Sequence, residues 1–329
     1  EGSPTAVFTV TGNVDQYVKL ALAATTNVSG NATLGTDTGN VPTRTVQLQY
    51  STNNGTTWND YTANSYVQMT GTSMLVRTGI TQDTSYEGAE TFKLVATNAG
   101  GTTNDIVTDP TKQGIGTIKD DGTGDIFNDD GTKDTTTRKD DDRLLTVDNV
   151  TVNEGSPYAV FTVSGTAGQT ISLALGGGTA GGSGTDYGSS TATTNLQYSL
   201  DGGTTWLNYS TTGAPTLTGT SMLVRTPVVE DAVQDNGETF TLTATPRGGV
   251  AVVGTATIND QGGGSIYNAD GTPNTTAIPT DDRPITVTSP TVNESSPHAV
   301  FTVAGGKASR RGGIFGGRRR VHSGDATRR

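Results

Sequence analysis

With 329 residues and no cysteine, the chain can form neither a disulfide nor a thiolate metal site. Its net charge is −11, and a tail from Lys307 holds eight basic residues against one acid, so the rest carries −18. An acidic body argues against nucleic acid as a partner, and no apolar run reaches the roughly 18 residues of a spanning helix, so no membrane insertion is expected.

Hydrophobic residues are only 31 %. That fraction would fit a disordered chain, but the apolar residues alternate in short, ordered runs and show no 3.6-residue period, which predicts strands. The first module, 1–119, opens on Glu1-Gly2-Ser3-Pro4, the counterpart of 154–157, and is predicted to be a β-sandwich lacking its first strand. Its Asn53-Asn54-Gly55 is a hairpin turn signal, followed by Trp58. Gly71-Thr72-Ser73-Met74-Leu75-Val76-Arg77-Thr78 then returns letter for letter at 219–226, and Glu90-Thr91-Phe92 at 238–240. An acidic connector spans 120–143, with Ile126-Phe127 at a fixed place in it. An apolar pair held in register predicts a structured connector docked on a neighbouring module. The alternative is a solvated acidic linker.

The second module, 144–260, is complete. Strands are predicted at 144–153, with a kink, and at 158–163, 169–175, 195–200, 204–209, 221–229, 239–244 and 251–258. Asp201-Gly202-Gly203 turns the central hairpin. A second connector, 261–283, aligns with the first at a spacing of 140, against 148 within the sandwiches. A third module begins at 284–304. The basic Gly/Arg-rich tail at 305–329 then breaks the pattern, and no stable fold is expected there. Seven or eight short strands per module, rich in Val, Thr and Tyr, predict an all-β chain of tandem immunoglobulin-like antiparallel sandwiches joined by acidic connectors.

The acids gather at strand ends: Glu154, then Asp186 in Gly-Thr-Asp-Tyr, then Glu230, Asp231, Asp235 and Glu238, then Asp260. Strand ends of both sheets meet at one pole of a sandwich. Carboxylates crowded there repel one another unless a cation neutralises them. An all-oxygen donor set suits calcium, and two histidines make zinc and copper poor candidates.

Val152-Asn153-Glu154-Gly155, Gly184-Thr185-Asp186-Tyr187, Glu230-Asp231 to Glu238-Thr239-Phe240 and Ile258-Asn259-Asp260, in that order, resemble the Calx-beta family. Its members occur in sodium–calcium exchangers and as tandem repeats in large bacterial surface and adhesin proteins. The resemblance implies an immunoglobulin-like sandwich with Ca2+ at one pole. Its acidic ligands would fall on Glu154, Asp186, Asp231, Glu238 and Asp260, and in the first module on Glu1, Asp37, Asp83, Glu90 and Asp120. The alternative is that these acids cap turns and keep a β-rich surface soluble.

The functional expectation is a non-catalytic structural or adhesive segment of a large secreted, cell-surface protein. Its partners would be calcium, neighbouring modules of the same array, and cell-surface glycans or other surfaces. An enzyme is disfavoured because the acids recur as a set, and no Gly-x-Ser-x-Gly elbow appears. A carbohydrate-binding module using Trp58, Trp206, Tyr61 and Tyr209 as a stacking surface is the alternative. A further reading has the strand at 285–293 filling the gap in the first module of another copy.

Overall fold

The computed structural model describes residues 1–26, 30–41, 46–98, 111–189 and 195–305. Among them there is no helix, and every regular element is a strand. The basic tail from residue 306 lies outside the described residues.

The first sandwich is built from β1 (Thr5–Thr11), β2 (Tyr17–Ala24), β3 (Gln49–Ser51), β4 (Asn59–Asp60), β5 (Val67–Gln68), β6 (Ser73–Gly79), β7 (Glu90–Asn98) and β8 (Thr111–Ile118). One sheet has the order β1-β6-β3-β4, the other β5-β2-β7-β8. The first connector holds β9 (Ile126–Phe127) and β10 (Lys133–Asp134), which pair antiparallel. The second sandwich comprises β11 (Thr146–Val147), β12 (Val150–Asn153), β13 (Tyr158–Ser164), β14 (Ile171–Gly176), β15 (Gln197–Ser199), β16 (Leu207–Asn208), β17 (Ser221–Pro227), β18 (Glu238–Pro246) and β19 (Val252–Asn259). Its sheets run β11-β13-β17-β15-β16 and β12-β19-β18-β14.

Alternation places every second side chain of a strand on the inner face. In β18 the sequence Glu-Thr-Phe-Thr-Leu-Thr-Ala-Thr-Pro buries Phe240, Leu242 and Ala244 and turns its threonines outward. Opposite them lie Phe161 and Val163 of β13 and Met222 and Val224 of β17. Phe240 is fully buried, edge-on to Phe161 at 6.0 Å and stacked on Tyr187 at 4.0 Å. In the first sandwich Phe92 takes the same place, edge-on to Phe8 at 5.7 Å.

The kinked strand expected at 144–153 is two strands in two sheets. β11 pairs antiparallel with β13, and β12 pairs parallel with β19. The switch is made by side chains that bond each sheet. Asp148 Oδ1 accepts from Thr162 N at 2.7 Å, and Asn149 Oδ1 from Thr255 N at 2.8 Å. β12 covers the edge of β19. β8, the counterpart of β19, has no such neighbour among the described residues and is largely exposed, with Ile115 at 68 %.

Both connectors are structured, and each folds back on the sandwich before it. Ile126 is buried, β9 lies against β1, and Phe127 N donates to Ser3 Oγ at 3.0 Å. Tyr267 N repeats that bond to Ser156 Oγ at 3.1 Å. The hairpin turns sit beneath the connectors. Gly55 and Gly203 have φ of +83° and +93°, and a Cβ on either would lie 1.7 Å from the carbonyl oxygen of Asp130 or Asp270. Only glycine allows that approach. After the second connector, β20 (Ile285–Val287) and β21 (Val303–Gly305) form an exposed two-stranded sheet.

Candidate metal centres at the sandwich poles

In the second sandwich, Glu154 emerges from the end of β12 and is 5 % exposed. Its Oε1 accepts from Asp231 N at 2.9 Å. Oxygens of Glu154, Asp231 and Asp282 lie within 4.8 Å of one another. A second group joins Asp186, Asp235 and Glu238 within the same distance. Asp260, 1 % exposed, links the two: its Oδ2 accepts from Asp235 N at 2.8 Å, and its carbonyl from Asp282 N at 3.0 Å.

The first sandwich repeats the plan. Glu1, Asp140 and Asp142 form one group, and Asp37, Glu87 and Glu90 the other. Asp120, 1 % exposed, accepts from Glu87 N at 2.7 Å, and its carbonyl from Asp142 N at 2.8 Å. Asp83 N donates to Glu1 Oε2 at 3.2 Å, but the Asp83 carboxylate turns to Ser85 N at 2.7 Å.

Of the ten acids singled out from the sequence, seven therefore fall in these groups: Glu1, Asp37, Glu90, Glu154, Asp186, Asp231 and Glu238. Asp120 and Asp260 are buried beside them, and Asp83 contributes its backbone. Asp235, named among the strand-end acids but not in the ligand set, is also a member, while sequence reasoning missed Glu87, Asp140, Asp142 and Asp282. The last three belong to the connectors. The signal for Asp142 and Asp282 was the Asp-Asp-Arg that closes both connectors at a spacing of 140; Asp140 has Thr280 at that spacing and no such signal.

The electrostatics are those of crowded, partly buried anions. Burial first, then neighbouring carboxylates, pushes Glu90 and Glu238 up to about 7 and Asp142 to about 6. Glu154 also rises to about 7, through burial and the charges of Asp282, Asp231 and Asp235, against the bond from Asp231 N. Among the described residues, seven buried carboxylate oxygens accept no hydrogen bond: Glu90 Oε2, Asp120 Oδ1, both of Asp142, Glu154 Oε2, Asp260 Oδ1 and Asp282 Oδ2. All seven belong to the acids of these poles. A buried acceptor without a partner costs about 1–3 kcal/mol, and more when charged. The donor set is all oxygen and anionic, which fits a hard cation of calcium's size and flexible coordination.

The aromatic residues of the hairpin are engaged internally. Trp58 Nε1 donates to Asp129 O at 2.7 Å, and Arg77 and Arg225 stack on Trp58 and Trp206 at 4.2 and 4.0 Å. The Tyr61 and Tyr209 hydroxyls accept from Leu20 N and Leu173 N at 2.9 and 3.0 Å. The tryptophans hold the connector and the tyrosines brace the opposite sheet, so the expected stacking surface is not a free aromatic platform.

No family model matches the chain, and no curated protein matches it. Similar solved structures include CBD12 from CALX1.2, at 12 % identity and TM-score 0.24, covering 75 % of this chain and 75 % of that one. The calcium binding domain CBD12 of CALX1.1 is similar at 12 % identity and TM-score 0.25, over 75 % and 76 %. The CupB6 tip adhesin from Pseudomonas aeruginosa is similar at 8 % identity and TM-score 0.22, over 78 % and 89 %. All three similarities are low in both identity and TM-score.

Proposed function

We propose that this chain is a non-catalytic structural and adhesive repeat segment of a large secreted bacterial surface protein, with Ca2+ at the sandwich poles stiffening the array. The observation that carries this reading is the set of seven buried carboxylate oxygens without a partner, gathered at equivalent places in two successive modules. A catalytic pair has no need of such duplication, whereas a scaffold does.

The connector aspartates explain how metal would stiffen the chain. Asp141 N donates to Arg247 O of the second sandwich at 2.7 Å, and Asp141 bridges to Gly248. The flanking Asp140 and Asp142 join Glu1 of the first sandwich. One short strap thus bonds one module through its backbone and faces the other through its carboxylates. A cation in the Glu1 group would hold that strap to the first sandwich and restrict hinge motion.

Calorimetric titration of the full chain with calcium tests the proposal. Dissociation constants on the order of 10⁻⁴ to 10⁻³ M are expected, as for extracellular modules. Glu154→Gln and Asp282→Asn should each weaken the sites of the second sandwich about tenfold, the loss of about 1.4 kcal/mol per ligand. Absence of binding heat at millimolar calcium would reject the reading.

A further inference from the structure

Among the described residues of this acidic chain, three cations gather in one groove. A groove of about 320 Å³ lies between the first connector and the second sandwich. Arg138 and Lys139 of the connector line it, with Arg247 of the loop between β18 and β19, and with Gly168, Thr170 and Thr216. Outside the tail the sequence has only 13 Lys and Arg residues, so three in one groove is a marked clustering.

Five other cations of the described structure have visible duties. Arg77 and Arg225 stack on tryptophans, Lys133 pairs with Asp125, and Arg143 and Arg283 pair with Asp141 and Asp281. Among the described residues, no side-chain hydrogen bond or ion pair engages Arg138, Lys139 or Arg247. The acid in the groove, Asp141, is already neutralised: Arg143 Nε and Nη2 hold its two oxygens at 2.8 and 2.7 Å. Arg247 is half-buried, and its charge is disfavoured by burial and then by the charge of Arg138. The charge of Asp140 offsets this only in part, since the Arg247 charge is still disfavoured on balance.

The groove also breaks the repeat. Residues 140 further on from Arg138 and Lys139 are Ile278 and Pro279, and the residue 148 before Arg247 is Ala99. Scaffold positions recur between modules, and these cations do not.

We propose that this groove binds an oxyanion carried by an acidic polysaccharide, either a sugar carboxylate or a sugar sulfate. Arginine forks match both groups. The threonine hydroxyls suit sugar hydroxyls, and the volume leaves room for a sugar ring beside the anion. The groove adjoins the Glu1 pole, since Lys139 and Asp141 flank Asp140 in the chain, but its lining cations are not among the acids of that pole, and it would give the array a surface contact of its own.

The test is calorimetry of the full chain in chelator, which removes calcium-bridged binding. The probes are a trigalacturonate, a sulfated disaccharide, uncharged maltotriose and inorganic sulfate. Wild type is compared with Arg247→Gln and with Lys139→Gln, an exposed position that leaves the fold undisturbed. One or both acidic sugars should bind, the one that binds naming the source of the anion. Maltotriose should not bind, and each variant should weaken binding about tenfold. Unchanged affinity in the Arg247→Gln/Lys139→Gln double variant would overturn the proposal by placing the binding elsewhere, the basic tail included. It also fails if neither acidic sugar binds, or if inorganic sulfate binds as tightly as the sulfated sugar, which marks an adventitious ion only.

Discussion

Raising the pH should destabilise the calcium-free chain, and calcium should remove that loss. The carboxyl of Glu154 is shifted from 4.5 to about 7. A folded-state pKa above the unfolded one means that the folded chain holds the proton more tightly. That contribution is therefore complete below about pH 4.5 and is lost as pH rises through about 7. At about 1.4 kcal/mol per pH unit, the interval gives a ceiling of about 3 kcal/mol for Glu154. Water at the pole and proton sharing among the neighbouring acids reduce it to about 1–2 kcal/mol. For a module of this size that is roughly 3–10 °C in melting temperature. Acids held low by hydrogen bonds do not blur this window. Asp201, lowered to about 2 mainly by Thr205, loses its contribution only as the pH falls below its unfolded value. The assay is differential scanning calorimetry in chelator and in about 10 mM calcium, at about pH 4.5, 6 and 7.5. Calcium at about a hundred times its dissociation constant adds about 2.7 kcal/mol per site. A chelated melting temperature that stays flat or climbs between pH 4.5 and 7.5 refutes the argument that these carboxylates are frustrated without metal.

Two further substitutions probe the connectors. Gly203→Ala should cost about 2–3 kcal/mol and red-shift tryptophan emission, because its Cβ would meet Asp270 O at 1.7 Å and lift the connector from Trp206. Gly202→Ala, with φ of +71° but open space around it, should cost only about 1 kcal/mol; equal effects would dismiss the docking role. Asn153→Ala should cost about 3–5 kcal/mol and speed hydrogen exchange across the second connector. Asn153 is fully buried and donates to the carbonyls of Asn259, Gly263 and Thr280, while its Oδ1 accepts from Gly155 N, Thr280 N and Thr280 Oγ1. Slow exchange retained in that connector contradicts the prediction.

Local pattern determined a good deal of this protein. The alternation Phe-Thr-Leu-Thr-Ala of β18 fixes a strand and its inner face, since a period of two leaves no choice of side. The turns Asn54-Gly55 and Gly202-Gly203 fix the hairpins, because positive φ requires those residue types. The recurrence of acids at strand ends pointed to the poles, because strand ends converge in any sandwich. What only the tertiary structure decided depends on long-range contact. The segment 144–153 divides between two sheets because Asp148 and Asn149 bond to strands from opposite layers, which no window of sequence contains. The connectors bring Asp142 and Asp282 to acids far away in the chain, so membership in each group is set by docking rather than by spacing. Trp58 and Trp206 read from the sequence as packing residues ahead of stacking ones, but what they pack against is seen only when the connector covers them. The charged groove at Arg138 and Arg247 exists only because a connector and a loop more than 100 residues apart meet at the junction of two modules.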